Sequence, residues 1–386
     1  MEDITKYVWF QEGPGVRKEQ YTNSGVKLLN VANLVDGKVD LSTSDRFISK
    51  EEANGRYKHF LVDEGDLIIA SSGIQVSYFD KKMGFIQNNQ LPLCMNTSTI
   101  RFKSLDKNVT NIRYFMYFLK SALFKRQLQK QITGSAQLNF GPSHLKKMKI
   151  NMPSIEKQNK IVEKLDKIQK IIDLRNKQLN MLKEVVKSQF VEMFENKNFK
   201  KKELIELCNF IDYRGKTPTK CNNGIPLITA KNVKNNSFSF EPREYFLPKL
   251  YESHMTRGIP KVGDVLFTTE APLGNVCRIP EIEGKFAVGQ RIITMQVYDE
   301  ITEIYLEQAL QSDKFQKELW KKSSGSTVKG IKSKLLERIT IPVPPIELQN
   351  KFAEFVKQVD KQKFEIKRSL TEMEDLYNSL MNEYFG

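Results

Sequence analysis

Long apolar runs are missing from this sequence, and so are the residues from which most metal and disulfide sites are built. No stretch approaches the roughly 18 apolar residues of a membrane-spanning helix. The opening MEDITKYVWF carries Glu2 and Asp3 with no apolar run behind them, so no secretory leader is expected there. The 386 residues include four cysteines (Cys94, Cys208, Cys221 and Cys277) and three histidines (His59, His144 and His254). No cysteine pair has C-x-x-C spacing, so neither a structural zinc nor a disulfide framework is predicted. The reducing cytoplasm is the expected compartment, with no membrane partner. Acidic residues are also in deficit: 61 Lys and Arg face 46 Asp and Glu, a net charge of +15.

That excess is not evenly spread. Residues 1–150 carry +8, 151–199 carry +3, 200–345 carry +6 and 346–386 carry −2. Two basic blocks alternate with two nearly neutral segments. A basic block suits a polyanion, because each Lys or Arg set on a phosphate releases a condensed counterion.

The alternation is a tandem repeat. MKINMPSIEKQNKIVEKLD (148–166) returns as ITIPVPPIELQNKFAEFVK (339–357), with Pro153, Ile155, Glu156 and Gln158 over Pro344, Ile346, Glu347 and Gln349 at a constant offset of 191. Gly134-Ser135 falls over Gly325-Ser326 at the same offset, and Gly65-Asp66 over Gly263-Asp264 at 198. The globular parts therefore vary in length while the segments after them do not. Short apolar runs such as DLIIA, STIRF, DVLFT and RIITM, broken by Gly, Asn and Pro, predict short strands. One amphipathic helix is predicted in each block, near 110–130 and 302–322, with Phe115 and Phe118 in the core.

After each block comes a longer helical pattern. Ile161, Leu165, Ile168, Ile172, Leu179, Leu182 and Val186 step by fours and threes, as do Phe352, Val356, Val359, Ile366, Leu370, Met373, Tyr377 and Leu380. These are heptad seams in one register, interrupted by Arg175 in the first copy and Lys363 in the second. Ser154 and Pro345 suit the two helix starts. The expected fold is α+β: two pseudo-symmetric α/β blocks separated by two long helices that form an antiparallel intramolecular coiled coil, on the order of 60 Å long at 1.5 Å per residue. Two basic blocks held apart in this way would touch one duplex at two places, and since they differ in sequence their half-sites should differ.

Catalytic patterns are weak. EGPG (12–15) lacks a clear preceding strand for a methyl-donor loop, and VPPI (343–346) has Val343 where a polar group must meet the base. Gly215-Lys216-Thr217 is not a P-loop, since Phe210 stands where the earlier glycine belongs. Asp264, Glu283 and Lys285 loosely match a nuclease spacing, but the Gly65-Asp66 counterpart has no following E-x-K. His144 falls over Leu335 and is assigned to packing. No catalytic residue and no metal site is predicted.

Six segments stand out as a set: DYRGKTPTKCNNGIPLITAKNV (212–233), GSTVKGIKSKLLERITIPVPPIELQNKF (325–352), KSQFVEMFEN (187–196), YNSLMNEYFG (377–386), TEAPLGNV (269–276) and FAVGQRI (286–292). Through them the whole chain resembles the specificity subunits of type I restriction-modification systems. WFQEGPGV (9–16) and GVKLLNVANLVDGKV (25–39) resemble another recognition-domain subclass. The resemblance implies target-recognition domains at 1–152 and 198–343, and helical spacers at 153–197 and 344–386. It implies a non-catalytic subunit that binds an asymmetric bipartite site in double-stranded DNA. Two adenine methyltransferase (modification) subunits would join it, and restriction/translocase subunits; S-adenosylmethionine, ATP and Mg would be bound by those partners. The alternative partner is a fused nuclease-methyltransferase of type II.

Base reading needs Arg, Lys, Asn, Gln, Ser or Thr at groove edges. The candidates are Arg17, Lys18, Lys58, Tyr78, Lys81, Lys82, Asn88, Gln137 and Asn139 in the first block. In the second they are Arg214, Lys216, Thr217, Lys220, Arg243, Arg257, Arg291, Lys329 and Lys332.

Overall fold

The computed structural model describes residues 1–132, 138–195 and 197–386. The chain divides into two compact units, Met1–Arg175 with Ser369–Gly386, and Asn176–Arg368. The division falls inside both long helices, Ile155–Phe190 and Ile346–Phe385. Each unit therefore holds one α/β block, one end of the helix that follows it, and one end of the other helix.

The first unit is built on a four-stranded antiparallel sheet. Its order is Val8–Glu12, Thr99–Ser104, Leu67–Ala70, Met83–Phe85. The LIIA strand is buried along its whole length because both its faces are covered. Leu67 and Ile69 point into a core with Phe102, Phe115 and Phe124. Ile68 and Ala70, on the opposite face of the pleat, point into a second core with Leu29, Leu93 and Met95. That second core lies under a small sheet in which Leu93–Met95 runs parallel to Val26–Leu29. The first and last strands of the block, Glu2–Asp3 and Lys149–Ile150, pair with each other.

The second unit repeats this plan. Its main sheet runs Cys208–Asp212, Ile292–Val297, Val265–Thr268, Val276–Arg278. Val265 and Phe267 face one core and Leu266 the other. Ile225–Ile228 runs parallel to Ala287–Val288, and Lys201–Glu203 pairs with Thr340–Pro342.

The helical part of each block is two helices rather than the single one expected. Ile112–Lys120 and Ala122–Gln131 meet at Ser121; Glu303–Gln311 and Asp313–Lys322 meet at Ser312. Both serines are extended and cap the second helix, accepting from Phe124 N and Phe315 N at 3.2 Å. A serine at an N-cap satisfies one of the free N–H groups of a helix start, which is why the break is stable there.

The long helices follow the expected seam. Ser154 accepts from Lys157 N (3.4 Å) at the first start, and the Pro345 carbonyl accepts from Leu348 N (3.0 Å) at the second. In the first unit Ile161 and Leu165 share a core with Met381 and Phe385, and the Phe385 ring lies 4.9 Å from Tyr114. In the second, Val186, Phe190 and Phe194 share a core with Phe352, Val356 and Val359; Phe190 and Phe194 lie 5.7 and 5.3 Å from Phe352. Within each unit, then, the first turns of one long helix lie against the last turns of the other, which is antiparallel pairing. Every seam position is buried or half-buried, whereas Ile171, Leu174, Met181, Val185, Phe364 and Leu376, apolar but off the seam, are exposed. Arg175 is half-buried. Lys363 is half-buried too, its ammonium 3.2 Å from Asp360 one turn away.

Candidate nucleic-acid interface

One node of backbone sits at the end of the middle strand in each unit. In the second unit, Thr269 follows Val265–Thr268. Its N–H donates to the Arg291 carbonyl (3.1 Å), and its own carbonyl accepts from Ile331 N (3.1 Å). In the first unit Ser71 follows Leu67–Ala70, donates to the Ser98 carbonyl (2.8 Å) and accepts from Phe140 N (2.9 Å). Ser71 and Thr269 are buried, so these bonds are sheltered from water. Three segments distant in sequence are thereby drawn together in each block.

In the second unit they surround an open depression lined by Arg214, Thr269, Glu270, Gln290, Arg291 and Lys332. Gln290 and Arg291 also line an adjoining one with Thr217, Lys220, Lys231 and Glu244. The structure thus brings together Arg214, Thr217, Lys220, Arg291 and Lys332 of the predicted set. Arg214 is clamped by Asp212, through Nε (2.8 Å) and Nη2, and by the Ile331 carbonyl (3.1 Å). Burial pushes the Asp212 carboxyl up, but its bonds from Arg214 outweigh that and hold it below its usual range. Lys220 pairs with Glu244, whose carboxyl is lowered by that bond and by Lys231. Arg291 pairs with Glu270 through Nε at 2.9 Å, with the two side chains 58% and 45% exposed. Lys329 is exposed on the turn between the bridged residues Ser324 and Gly330.

Other predicted residues of this unit are committed to the fold. Lys216 donates to the His254 carbonyl (3.1 Å) and Thr256 Oγ1 (2.7 Å). Arg257 donates to the carbonyls of Asp212 (2.9 Å) and Arg214 (2.8 Å), stapling the loop that carries Arg214. Arg243 pairs with Glu241 (3.1 Å) beside a shallow pocket lined by Phe238, Phe240 and Ile282.

In the first unit the node joins Ser72, Ser98 and Asn139. Ser72 Oγ donates to Ser98 Oγ (2.7 Å), Asn139 pairs with Ser72 across two short strands, and Asn139 Oδ1 accepts from Gly73 N (3.1 Å). Gln137 lies outside the described residues. Tyr78 is 54% exposed, with the Lys81 ammonium 5.8 Å from its ring and 3.8 Å from Asp36. Arg17 and Lys18 are exposed at the turn Lys18–Gln20, and Lys58 is exposed at Lys58–Phe60; the Tyr57 hydroxyl bonds Gln20 (3.2 Å) and ties these turns together. Asn88 is exposed in its own turn. Lys82 is structural: its ammonium donates to the Leu34 carbonyl at 2.9 Å.

Sequence reasoning missed Glu270, Gln290, Ser72 and Ser98. The signal was present, because the Gly-Asp alignment at offset 198 sets Ser72 over Glu270. The weak nuclease pattern dissolves. Asp264 accepts from Lys261 N (2.7 Å) and Gln296 Nε2 (2.8 Å) as a turn cap, its counterpart Asp66 accepts from Asp63 N (2.9 Å), and Lys285 pairs with Glu252. His144 accepts from Gly141 N (3.2 Å) in a local turn. Among the described residues no group of three His, Cys, Asp or Glu could hold a metal, and no helix is long and apolar enough to cross a membrane.

A duplicated block whose second copy carries an open depression lined by Arg214, Arg291 and Lys332 suits a polyanionic partner. Its family can be stated: the chain belongs to the type I restriction modification DNA specificity domain family, whose model matches it twice, over residues 3–184 and 196–373. It is 26% identical over 350 residues to the type I restriction enzyme MjaVIII specificity subunit of Methanocaldococcus jannaschii, covering 84% of this chain and 79% of that one. In fold it is similar to the S subunit of a type I restriction-modification system from M. genitalium (TM-score 0.56, 15% identity, 100% of this chain and 95% of that one). It is also similar to a chain from a type I R-M assembly, with TM-score 0.53 and 16% identity, covering 98% of this chain and 97% of that one. The chain is therefore a specificity subunit, the DNA-recognition part of such a system and not its catalytic part, and it works in assembly with other subunits and DNA. Nothing in these comparisons supports the type II partner.

Proposed function

We propose that each unit reads one half of an asymmetric bipartite site in double-stranded DNA, with the surface beside the Ser71 node in the first unit and the depression beside the Thr269 node in the second facing the duplex. The observation that carries this is the repeated node: one buried backbone arrangement presents the side chains of Ser72, Ser98 and Asn139 in one unit and those of Glu270 and Arg291 in the other, where Gly330 stands in the third place. A shared scaffold with different polar side chains suits two readers of different sequence. The long helices set the gap between half-sites. Their exposed apolar residues, Ile171, Leu174 and Leu376 in the first unit and Met181, Val185 and Phe364 in the second, suit the docking of two modification subunits. Restriction/translocase subunits complete the enzyme, and S-adenosylmethionine, ATP and Mg belong to those partners. The setting is the cytoplasm, which suits three buried free thiols.

The test is adenine-methylome sequencing of a host expressing this chain with its modification subunit. Exchanging residues 1–150 for another recognition block should change one half of the methylated motif. A change in both halves refutes independent readers.

A further inference from the structure

We propose that Arg291, oriented by Glu270, reads a guanine in the half-site bound by the second unit, while Glu270 accepts from the paired cytosine. This deepens the reading above and rests on it.

The backbone places both residues where a base edge is reached. Glu270 directly follows the buried Thr269 and bridges Gly330, and Arg291 supplies the carbonyl that Thr269 N–H binds. Both side chains lie on a rigid node and both line the open depression. Arg291 also lines the adjoining one with Thr217 and Lys220, so its guanidinium stands where the two meet.

The pairing decides what Arg291 contacts. An arginine meant for a phosphate gains nothing from a carboxylate 2.9 Å away, because the carboxylate repels the phosphate as the guanidinium attracts it. A base edge carries no net charge and is not repelled. The Glu270 bond is made through Nε, a geometry that leaves the two terminal Nη groups to serve the bidentate acceptors N7 and O6 of a guanine. The Glu270 carboxylate has lone pairs left for the N4 amino group of cytosine. A G·C pair presents these acceptors and this donor side by side in the major groove; an A·T pair offers a donor where Arg291 needs an acceptor.

The first unit gives the contrast. Its equivalent positions are Ser72 and Ser98, bonded hydroxyl to hydroxyl at 2.7 Å, with Asn139 across from them. Hydroxyls and an amide take either role in a hydrogen bond, so the same node there does not demand guanine.

The experiment uses the assembled modification complex, expressed in a host without other adenine methylation. Exchange of residues 200–345 first assigns the half-site of the second unit. That half-site should contain a guanine. With Arg291→Gln the preference at that position should move toward adenine, since glutamine is bidentate to adenine N6 and N7. Arg291→Lys should keep methylation but lower discrimination there by roughly ten- to a hundredfold. The other half-site should be unchanged in both. A half-site without guanine, or a motif unchanged in both variants, overturns the assignment. So does loss of methylation at every sequence in both variants with the complex still assembled, which would put Arg291 on the phosphate backbone. A wild-type complex that methylates no defined motif defeats the reading of the site itself, and this assignment with it.

Discussion

Gln349 is the sharpest test of how the second unit is held together. It is fully buried, at 0% exposure, and every bond of its amide is accounted for. Oε1 accepts from Thr302 N at 2.9 Å, at the start of the helix Glu303–Gln311. Nε2 donates to the carbonyls of Glu300 (3.0 Å) and Pro344 (2.8 Å). One side chain at the start of a long helix thus pins the loop ahead of the domain helices and the strand exit before it. Gln349→Leu keeps the volume and removes all three bonds. An unpaired buried donor or acceptor costs about 1–3 kcal/mol. Two of the three bonds are only part-buried, so water relieves them and the low end applies, about 3 kcal/mol in all. For a unit of 193 residues (Asn176–Arg368), about 2–4 °C per kcal/mol gives a fall of roughly 6–12 °C in melting temperature. Gln349→Glu should be no better, because it keeps the acceptor for Thr302 but sets a carboxylate against two carbonyl oxygens. Gln158→Leu should behave alike in the first unit, where Gln158 accepts from Asn111 N (2.9 Å) and donates to Val109 and Pro153 carbonyls (both 2.8 Å). The assay is thermal unfolding of the purified chain followed by circular dichroism and calorimetry. Melting within about 2 °C of wild type for both leucine variants, a third of the smallest expected effect, would refute the reasoning.

Asp264→Asn probes the buried turn carboxyl. Burial raises its pKa above the usual carboxylate value, more than the bonds from Lys261 N and Gln296 lower it. A folded-state value above the unfolded one makes the ionised form a liability that sets in as pH rises through the carboxylate range. The variant should therefore melt with wild type in acid and above it at neutral pH; a gap that shrinks as pH rises refutes the sign. Lys329→Gln and Lys332→Gln, at exposed positions beside the depression, should each lower the slope of log affinity against log salt by about one and leave the methylated motif unchanged. An altered motif with an unchanged slope would make them base readers instead.

The duplication was legible because its markers are chemically demanding. A glutamine with three buried partners and an aspartate capping a tight turn cannot drift, so Gln158 with Gln349 and Asp66 with Asp264 hold their places. The heptad seam was legible for the ordinary reason that its period is visible in apolar residues alone. The break at Ser121 and Ser312 was not, because the apolar pattern continues through it and only the cap geometry reveals it. The candidate site was legible only in its residue types. Charge and residue type found Arg214, Thr217, Lys220, Arg291 and Lys332. They could not tell these from Lys82, Lys216 and Arg257, whose donors end on carbonyls 48, 38 and 45 residues away. Glu270 was missed because the search for base readers took in Arg, Lys, Asn, Gln, Ser and Thr and left out acidic residues, although a carboxylate can accept from cytosine N4.

Length variation between the halves supports the placement of the reading face. Asn33 and Asn232 make the same turn, accepting from Asn30 N (2.9 Å) and Thr229 N (2.8 Å), at offset 199. The aspartate caps stand at 198, Ser98 and Arg291 at 193, and Phe140 and Ile331 at 191. The largest step, five residues, therefore falls between the node residue (Ser71 or Thr269) and the segment that supplies its carbonyl acceptor (Ser98 or Arg291). That interval begins at Ser72 in one unit and at Glu270 in the other. In a packed block, length changes are tolerated where the chain faces solvent, because inserting residues under the sheet would break cores filled on both faces. A segment free to change length, but returned to a fixed buried bond at each end, can present a new surface without disturbing the fold. The halves differ most in length next to the proposed reading pair Arg291 and Glu270, and they keep one constant offset of 191 into the long helices, from Ile155 and Gln158 over Ile346 and Gln349.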